Sequence, residues 1–162
     1  MKYITLFNID GEIGHPIYHR SNQNIIKPTY EGIDEARSWS KTHHNSVLGL
    51  WGSTLPELCS SFGKYNYLIS VKEDAVRLGL VYSDWKSLGC DIYHDCEDFI
   101  RLRNKILYDK SLDIIYILDS GYVGEIIIVN LDCIESVTEV GSVPDRRYSL
   151  KHDPHKSINI EY

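Results

Sequence analysis

Short runs of β-branched and aromatic residues, separated by polar and glycine-bearing segments, dominate the chain and predict β-strands. The predicted strands are Lys2–Phe7, Pro16–His19, Val47–Ser53, Tyr65–Val71, Leu112–Leu118 and Glu125–Val129. Between the last two lies Asp119–Gly124, a turn segment that contains two glycines and favours a hairpin loop. At least part of the sheet is therefore expected to be antiparallel.

Three other segments carry apolar residues at the spacing of an amphipathic helix. They are Gly32–His43, in which Trp39 should face the core, then Leu55–Phe62, with Gly63 as its C-cap, and Cys96–Tyr108. The order of elements predicts a mixed α+β fold, with strands concentrated toward both ends of the domain and helices between them.

The length and the continuity of the pattern predict a single domain. The 162 residues, 43% of them hydrophobic, are enough to bury one core. No repeat, low-complexity tract or linker interrupts residues 1–141, so we assign the domain to that range. Residues 142–162 mix Pro, Asp, Arg, Lys and His, and we expect a loosely packed C-terminal extension apart from Ser157–Ile160.

The charge of the chain limits its partners. The net charge is −6, from 17 basic and 23 acidic residues, which argues against tight sequence-independent binding to nucleic acid or anionic lipid. The first ten residues lack the features of a signal peptide, and no segment has the roughly 20 apolar residues of a membrane span. We therefore expect a cytoplasmic protein that does not bind membranes.

The cysteines do not indicate a structural metal or a disulfide framework. Cys59, Cys90, Cys96 and Cys133 form no CxxC pair. Cys90 and Cys96 lie near Asp91 and His94, but they are six residues apart and no second ligand pair stands at zinc spacing. We predict free thiols and no metal.

Three separated segments carry the functional signal. The first is Ile17-Tyr-His-Arg-Ser21, and the second is Leu48-Gly-Leu-Trp-Gly-Ser53, followed by the predicted helix and by Tyr65–Val71. The third is Gly124-Glu-Ile-Ile-Ile-Val-Asn130, followed by Ile134-Glu-Ser-Val137. In this order the segments resemble the three motifs of NAD-dependent ADP-ribosyltransferase-like domains. The resemblance spans about residues 17–140.

The resemblance implies a split mixed or antiparallel β-sheet core with flanking helices, and NAD as co-substrate. It implies that Glu125 is the catalytic residue, and that NAD is bound by His19, Arg20, Ser21, Trp51 and Ser53. A fixed carboxylate suits the reaction, because cleavage between nicotinamide and ribose develops positive charge on the sugar. The small size is compatible with a toxin, an effector or a phage-encoded modifier of host machinery.

His19 and Arg20 pose an alternative, because successive strand residues face opposite sides of a sheet. If His19 faces the cleft, the site resembles the His-Tyr-Glu branch of the family, with His19 on the ribose. If Arg20 does, it resembles the Arg-Ser-Glu branch, with Arg20 on phosphate. We favour His19, since the family's histidine directly follows an aromatic residue, as His19 follows Tyr18.

The acceptor is left open by the sequence. Relatives that modify arginine or cysteine often have Glu or Gln two residues before the catalytic glutamate, where this chain has Val123. A macromolecule is expected as acceptor, in the first place a host protein, with nucleic acid as the alternative. An RNA 2′-phosphotransferase, an NAD glycohydrolase and a non-catalytic binding or inhibitor protein are the other functions compatible with the same fold.

Overall fold

The computed structural model describes residues 2–10, 17–22, 27–37, 44–54, 64–81, 84, 95–118, 123–141 and 151–162. Within these ranges the strands are β1 (Tyr3–Asp10), β2 (Ile17–Ser21), β3 (Leu50–Gly52), β4 (Tyr65–Val71), β5 (Arg77–Val81), β6 (Ile114–Leu118), β7 (Val123–Ile128), β8 (Ile134–Val140) and β9 (Lys151–Glu161). The α-helices are α1 (Tyr30–Arg37) and α2 (Cys96–Asp109), and 3-10 helices span His44–Leu48 and Leu131–Cys133.

The strands form two sheets. The larger has six strands in the order β3-β7-β6-β5-β1-β9, and the smaller has three in the order β2-β4-β8. All neighbours are antiparallel except β5 and β6, which are parallel. A parallel pair needs a crossover connection, and α2 lies in the one between β5 and β6.

Helix α2 covers one face of the six-stranded sheet. A capping box begins the helix, because the Asp95 carboxylate accepts from the Asp98 amide and the Asp98 carboxylate accepts from the Asp95 amide, both at 3.0 Å. The buried helix residues Phe99, Leu102 and Ile106 pack with sheet residues that include Ile117 and Ile127. Among the residues that the structure describes, no helix is long and apolar enough to span a membrane.

A second core fills the space between the two sheets. Ile17 and Ile69 of the small sheet pack with Tyr116, Ile126 and Ile128 of the large one. Strand β6 is buried along its whole length because alternate residues enter the two cores, and this explains its uninterrupted apolar sequence. The molecule is thus layered as helix, large sheet and small sheet.

The two sheets are joined edge to edge at one point. Tyr18 of β2 and Ser53, directly after β3, form an isolated antiparallel bridge, with N–H···O distances of 2.8 and 2.9 Å. Gly52 makes this approach possible, because a Cβ at that position would lie 2.8 Å from both Ile17 Cγ2 and the Tyr18 carbonyl oxygen. Beyond the bridge the two strands separate, so the sheet is split there.

The mixed α+β class predicted from the sequence is confirmed, and the structure is mostly sheet. Several elements differ. Strands β5 and β8 lie where no strand was predicted, and the predicted strand Val47–Ser53 begins as part of the 3-10 helix His44–Leu48, which β3 follows. Helix α1 is described as far as Arg37, and β9 extends over Lys151–Glu161 and pairs along most of β1. The C-terminal segment from Lys151 onward is therefore part of the large sheet. The helix predicted at Leu55–Phe62, the residues Trp39 and His43, and most of the Cys90–Cys96 cluster lie outside the described residues.

The first prediction concerns the close approach at Gly52. In Gly52→Ala the new methyl group meets the backbone carbonyl of Tyr18, which cannot move without separating β2 from β3. We expect the free energy of unfolding to fall by about 1–3 kcal/mol, measured by chemical denaturation. Gly141→Ala is the matched control, because a Cβ there has no neighbour within 4 Å. Equal stability of the two variants would contradict the close approach.

Candidate functional site

The three segments that resemble the family motifs lie side by side at the junction of the sheets. Strand β2 carries the first, β3 the second and β7 the third. β3 pairs with β7 on one side, and the Tyr18–Ser53 bridge joins it to β2 on the other. Three segments that are distant in the sequence thus lie on adjoining strands where the two sheets meet.

Glu125 and Ser53 are brought together by the pairing of β3 with β7. The pairing of β3 with β7 ends at Gly52 and Ile126, and the same antiparallel spacing makes Ser53 and Glu125 the next two facing positions. Ser53 is 2% exposed, whereas Glu125 is exposed to solvent. By strand alternation both share a face with Trp51. The register thus puts the Ser53 and Glu125 side chains on one face of two neighbouring strands.

A β-bulge precedes the glutamate. Ile117 of β6 pairs with Glu125, but the next residue, Leu118, pairs with Val123, so that Gly124 is an extra residue on β7. Bulges of this kind locally bend a strand and redirect a side chain, and they are frequent beside active sites. Gly124 thus occupies the bulge position, and the bulge influences the direction of the Glu125 side chain.

His19 bridges the gap at the split. Its Nδ1 lies 2.5 Å from the carbonyl oxygen of Trp51. A carbonyl oxygen only accepts, so Nδ1 carries the proton and donates. Burial lowers the pKa of His19 below its ordinary value of 6.5, and the bond to Trp51 only partly offsets this. The ring is therefore neutral at pH 7, with the lone pair of Nε2 as a hydrogen-bond acceptor.

The backbone of Arg20 turns toward the split. Because Tyr18 directs its N–H and C=O to Ser53, strand alternation directs those of Arg20 to the same side. Trp51 would be the next partner in that ladder, but the bridge is isolated and the Trp51 carbonyl is bonded to His19. The peptide groups flanking Arg20 thus present one donor and one acceptor to the split.

The side chain of Arg20 points to the face opposite that of His19. Its cross-strand neighbour is Asn66, which is 5% exposed and donates from Nδ2 to the carbonyl of Gly141 at 3.3 Å. Arg20 Nε and Asn66 Oδ1 are buried and have no hydrogen-bond partner in the part of the chain that the structure describes. Among the described residues nothing forms an ion pair with Arg20. Sequence reasoning missed Asn66, since a single asparagine in an apolar strand gives no signal beyond its own polarity.

The other predicted residues lie around the split. Trp51 is half-buried and packs against the core beneath α2, so part of its ring faces outward. Ser21 ends β2 opposite Tyr65 and, by alternation, shares the face of His19. Tyr18 is 5% exposed and belongs to the packed interior. The five residues predicted to bind NAD thus lie near the junction: three are on β2, Trp51 is on β3, and Ser53 directly follows β3.

The second prediction concerns the protonation of His19. Long-range ¹H–¹⁵N NMR spectra should show the Nδ1–H tautomer at pH 7 and a pKa below 6.5. Because the folded state holds fewer protons at this ring than the unfolded state, its contribution to stability is present above pH 6.5 and declines as the pH falls below it. In His19→Gln, the free energy of unfolding, measured by chemical denaturation, should fall less steeply as the pH is lowered below 6.5. A charged ring at pH 7 would contradict the assignment.

Comparison with known proteins adds no assignment to this geometry. No family model, no curated protein and no solved structure matches the chain. The functional interpretation therefore depends on two things, the motif segments in the sequence and their meeting at the junction of β2, β3 and β7.

Proposed function

We propose that the chain transfers ADP-ribose from NAD to a macromolecular acceptor and releases nicotinamide, with the reaction centre at the split between β2 and β3. The observation that carries the proposal is the meeting of the three motif-bearing strands β2, β3 and β7 at this split. His19 contacts the backbone of Trp51 there, and Ser53 and Glu125 follow in register on the adjoining strands. The split between the two sheets also agrees with the fold that the resemblance implies.

Each group has a chemical task in this reaction. The Glu125 carboxylate stabilises the positive charge that develops on the ribose as the bond to nicotinamide breaks, and it accepts the proton of the incoming nucleophile. The Ser53 hydroxyl orients the carboxylate. His19, held by Trp51, accepts a hydrogen bond from a ribose hydroxyl through Nε2. A neutral imidazole suits this task because a protonated ring has no acceptor.

The Arg20 backbone supplies a place for the leaving group. A primary carboxamide has one acceptor oxygen and an NH2 donor, which complement the N–H and C=O that Arg20 directs into the split. In this arrangement nicotinamide continues the ladder of β2 where β3 has diverged. Trp51, on the neighbouring strand, provides an aromatic surface close to the nicotinamide ring.

The third prediction tests catalysis by Glu125. With ³²P-labelled NAD and a cell lysate, the wild-type protein should label a macromolecule, and Glu125→Gln should lower the rate about 100- to 10,000-fold. Glu161→Gln, an exposed carboxylate on β9, is the matched control and should retain full activity. NAD consumption without labelled acceptor would indicate a glycohydrolase. If NAD is not consumed and does not bind saturably, both enzymatic functions are contradicted.

The fourth prediction tests the carboxamide site. Nicotinamide should bind about tenfold or more tightly than nicotinate, because the carboxylate has no donor for the Arg20 carbonyl and leaves it unpaired. Isothermal titration of the two compounds measures the difference. Arg20→Ala should change nicotinamide affinity little, since the contacts are made by the backbone, whereas His19→Ala should weaken NAD binding. Loss of NAD binding in Arg20→Ala alone would instead favour the Arg-Ser-Glu branch.

A further inference from the structure

A groove of about 540 Å³ lies away from the split, between the N-terminus of α1 and the start of β8. Tyr30 forms one wall, and Leu131, Ile134 and Val137 contribute an apolar floor. These three side chains are only partly buried, although they pack on the core between the sheets. The groove is open to solvent and large enough for one or two side chains of a partner.

The wall at Tyr30 is fixed by polar contacts on both sides. The Tyr30 hydroxyl donates to the Val129 carbonyl at 2.8 Å and accepts from the Leu131 amide at 3.2 Å. The Arg103 guanidinium lies 5.0 Å from the centre of the Tyr30 ring and donates to Asp34 at 2.8 Å. Binding here would require little ordering of the protein, which favours affinity.

The edge of β8 that borders the groove has backbone groups directed outward. At the other side of the small sheet, the backbone N–H and C=O of Tyr18 bond to Ser53. Because these groups alternate in direction along β2 and β4, the backbone groups of Leu68 and Ser70 point to Thr138 and Ser136 of β8. Val137 lies between Ser136 and Thr138, and Glu139 follows Thr138. The N–H and C=O groups of Val137 and Glu139 therefore point away from β4. Among the described residues no strand pairs with this edge.

The charge at the rim of the groove is mainly negative. Asp132 and Glu135 line it and are exposed, and Glu139 is exposed farther along β8. Lys27 is the one basic residue among the described lining residues. Glu135 is also the extra residue of a bulge in the pairing of β8 with β4, which turns it out of the regular ladder.

We infer that this groove docks an extended, lysine- or arginine-bearing peptide segment of a partner protein, which pairs with the edge of β8 at Val137 and Glu139. An apolar side chain of the peptide fills the space over Leu131, Ile134 and Val137, and a basic side chain lies beside Asp132 and Glu135. Backbone pairing supplies the affinity, and the acidic rim favours a positively charged peptide over a negatively charged one. The docking does not depend on the reaction proposed at the split.

The experiment uses a fluorescein-labelled heptapeptide of alternating lysine and valine, followed by fluorescence anisotropy at about 0.1 M salt. We expect saturable binding to the full chain and none for the corresponding glutamate–valine peptide. Glu135→Lys should weaken binding about tenfold, because it replaces attraction with repulsion near the bound lysine. Glu161→Lys, the same charge change on β9, is the matched control and should bind normally.

Val137→Pro tests the backbone pairing, because it removes an outward N–H without removing a hydrogen bond to β4. We expect loss of peptide binding with NAD consumption unchanged. If this variant does not fold, a peptide N-methylated at alternate amides tests the same pairing with the unmodified protein.

Four results would overturn the inference. The first is binding of the acidic peptide as tight as that of the basic peptide, and the second is a loss of affinity in Glu161→Lys as large as in Glu135→Lys. The third is self-association of the chain that Glu135→Lys abolishes, and the fourth is no saturable binding up to about 1 mM peptide.

Discussion

The pair of backbone hydrogen bonds between Tyr18 and Ser53 determines how the two sheets meet. Next to Ser53, the strands are close enough to leave no room for a Cβ at Gly52. The ladder ends after this single bridge, since Arg20 and Trp51, the next facing residues, form no second one. The backbone groups of Arg20 and Trp51 that face each other there are thus left outside the ladder. Both the apolar core between the sheets and the candidate site depend on that geometry.

The chemistry at the cleft depends on burial as much as on residue type. His19 is a useful acceptor only because its surroundings keep it neutral and because the Trp51 carbonyl fixes the proton on Nδ1. Glu125, by contrast, is exposed to solvent near the start of β7. The junction thus carries a neutral acceptor on β2 and an exposed carboxylate on β7, the two kinds of group that the proposed cleavage of the bond between nicotinamide and ribose uses.

Much of the strand content was predictable, because the apolar runs at Ile114–Leu118 and Glu125–Val129 have no other plausible structure. The same runs gave the hairpin and hence the position of Glu125. Strand β5 was missed because Gly79 interrupts a short apolar run; the structure shows that a Cβ there would lie 2.5 Å from Leu118 Cδ1. The first half of β9 was missed because Lys151–Lys156 is polar and contains a proline, which is tolerated at the edge of a sheet, whereas Ser157–Ile160 was already set apart from the loosely packed segment.

The sequence names candidate site residues, but it does not give their geometry. Local sequence shows that His19 and Arg20 face opposite sides, yet it does not show which partner each meets. The bond from His19 to Trp51 joins residues 32 positions apart and exists only because β2 and β3 separate at this point. The outward backbone of Arg20, the buried Asn66 and the groove beside Tyr30 likewise follow from pairing between distant strands.

The central claim is that the split between β2 and β3 binds NAD. Its most direct test is a titration of the ¹⁵N-labelled protein with a non-hydrolysable carbocyclic NAD analogue, followed through the backbone amide resonances. We expect saturable shifts centred on Arg20, Trp51–Ser53 and Glu125. Absence of saturable shifts, or shifts confined to the groove at Tyr30 and Leu131–Val137, would contradict it.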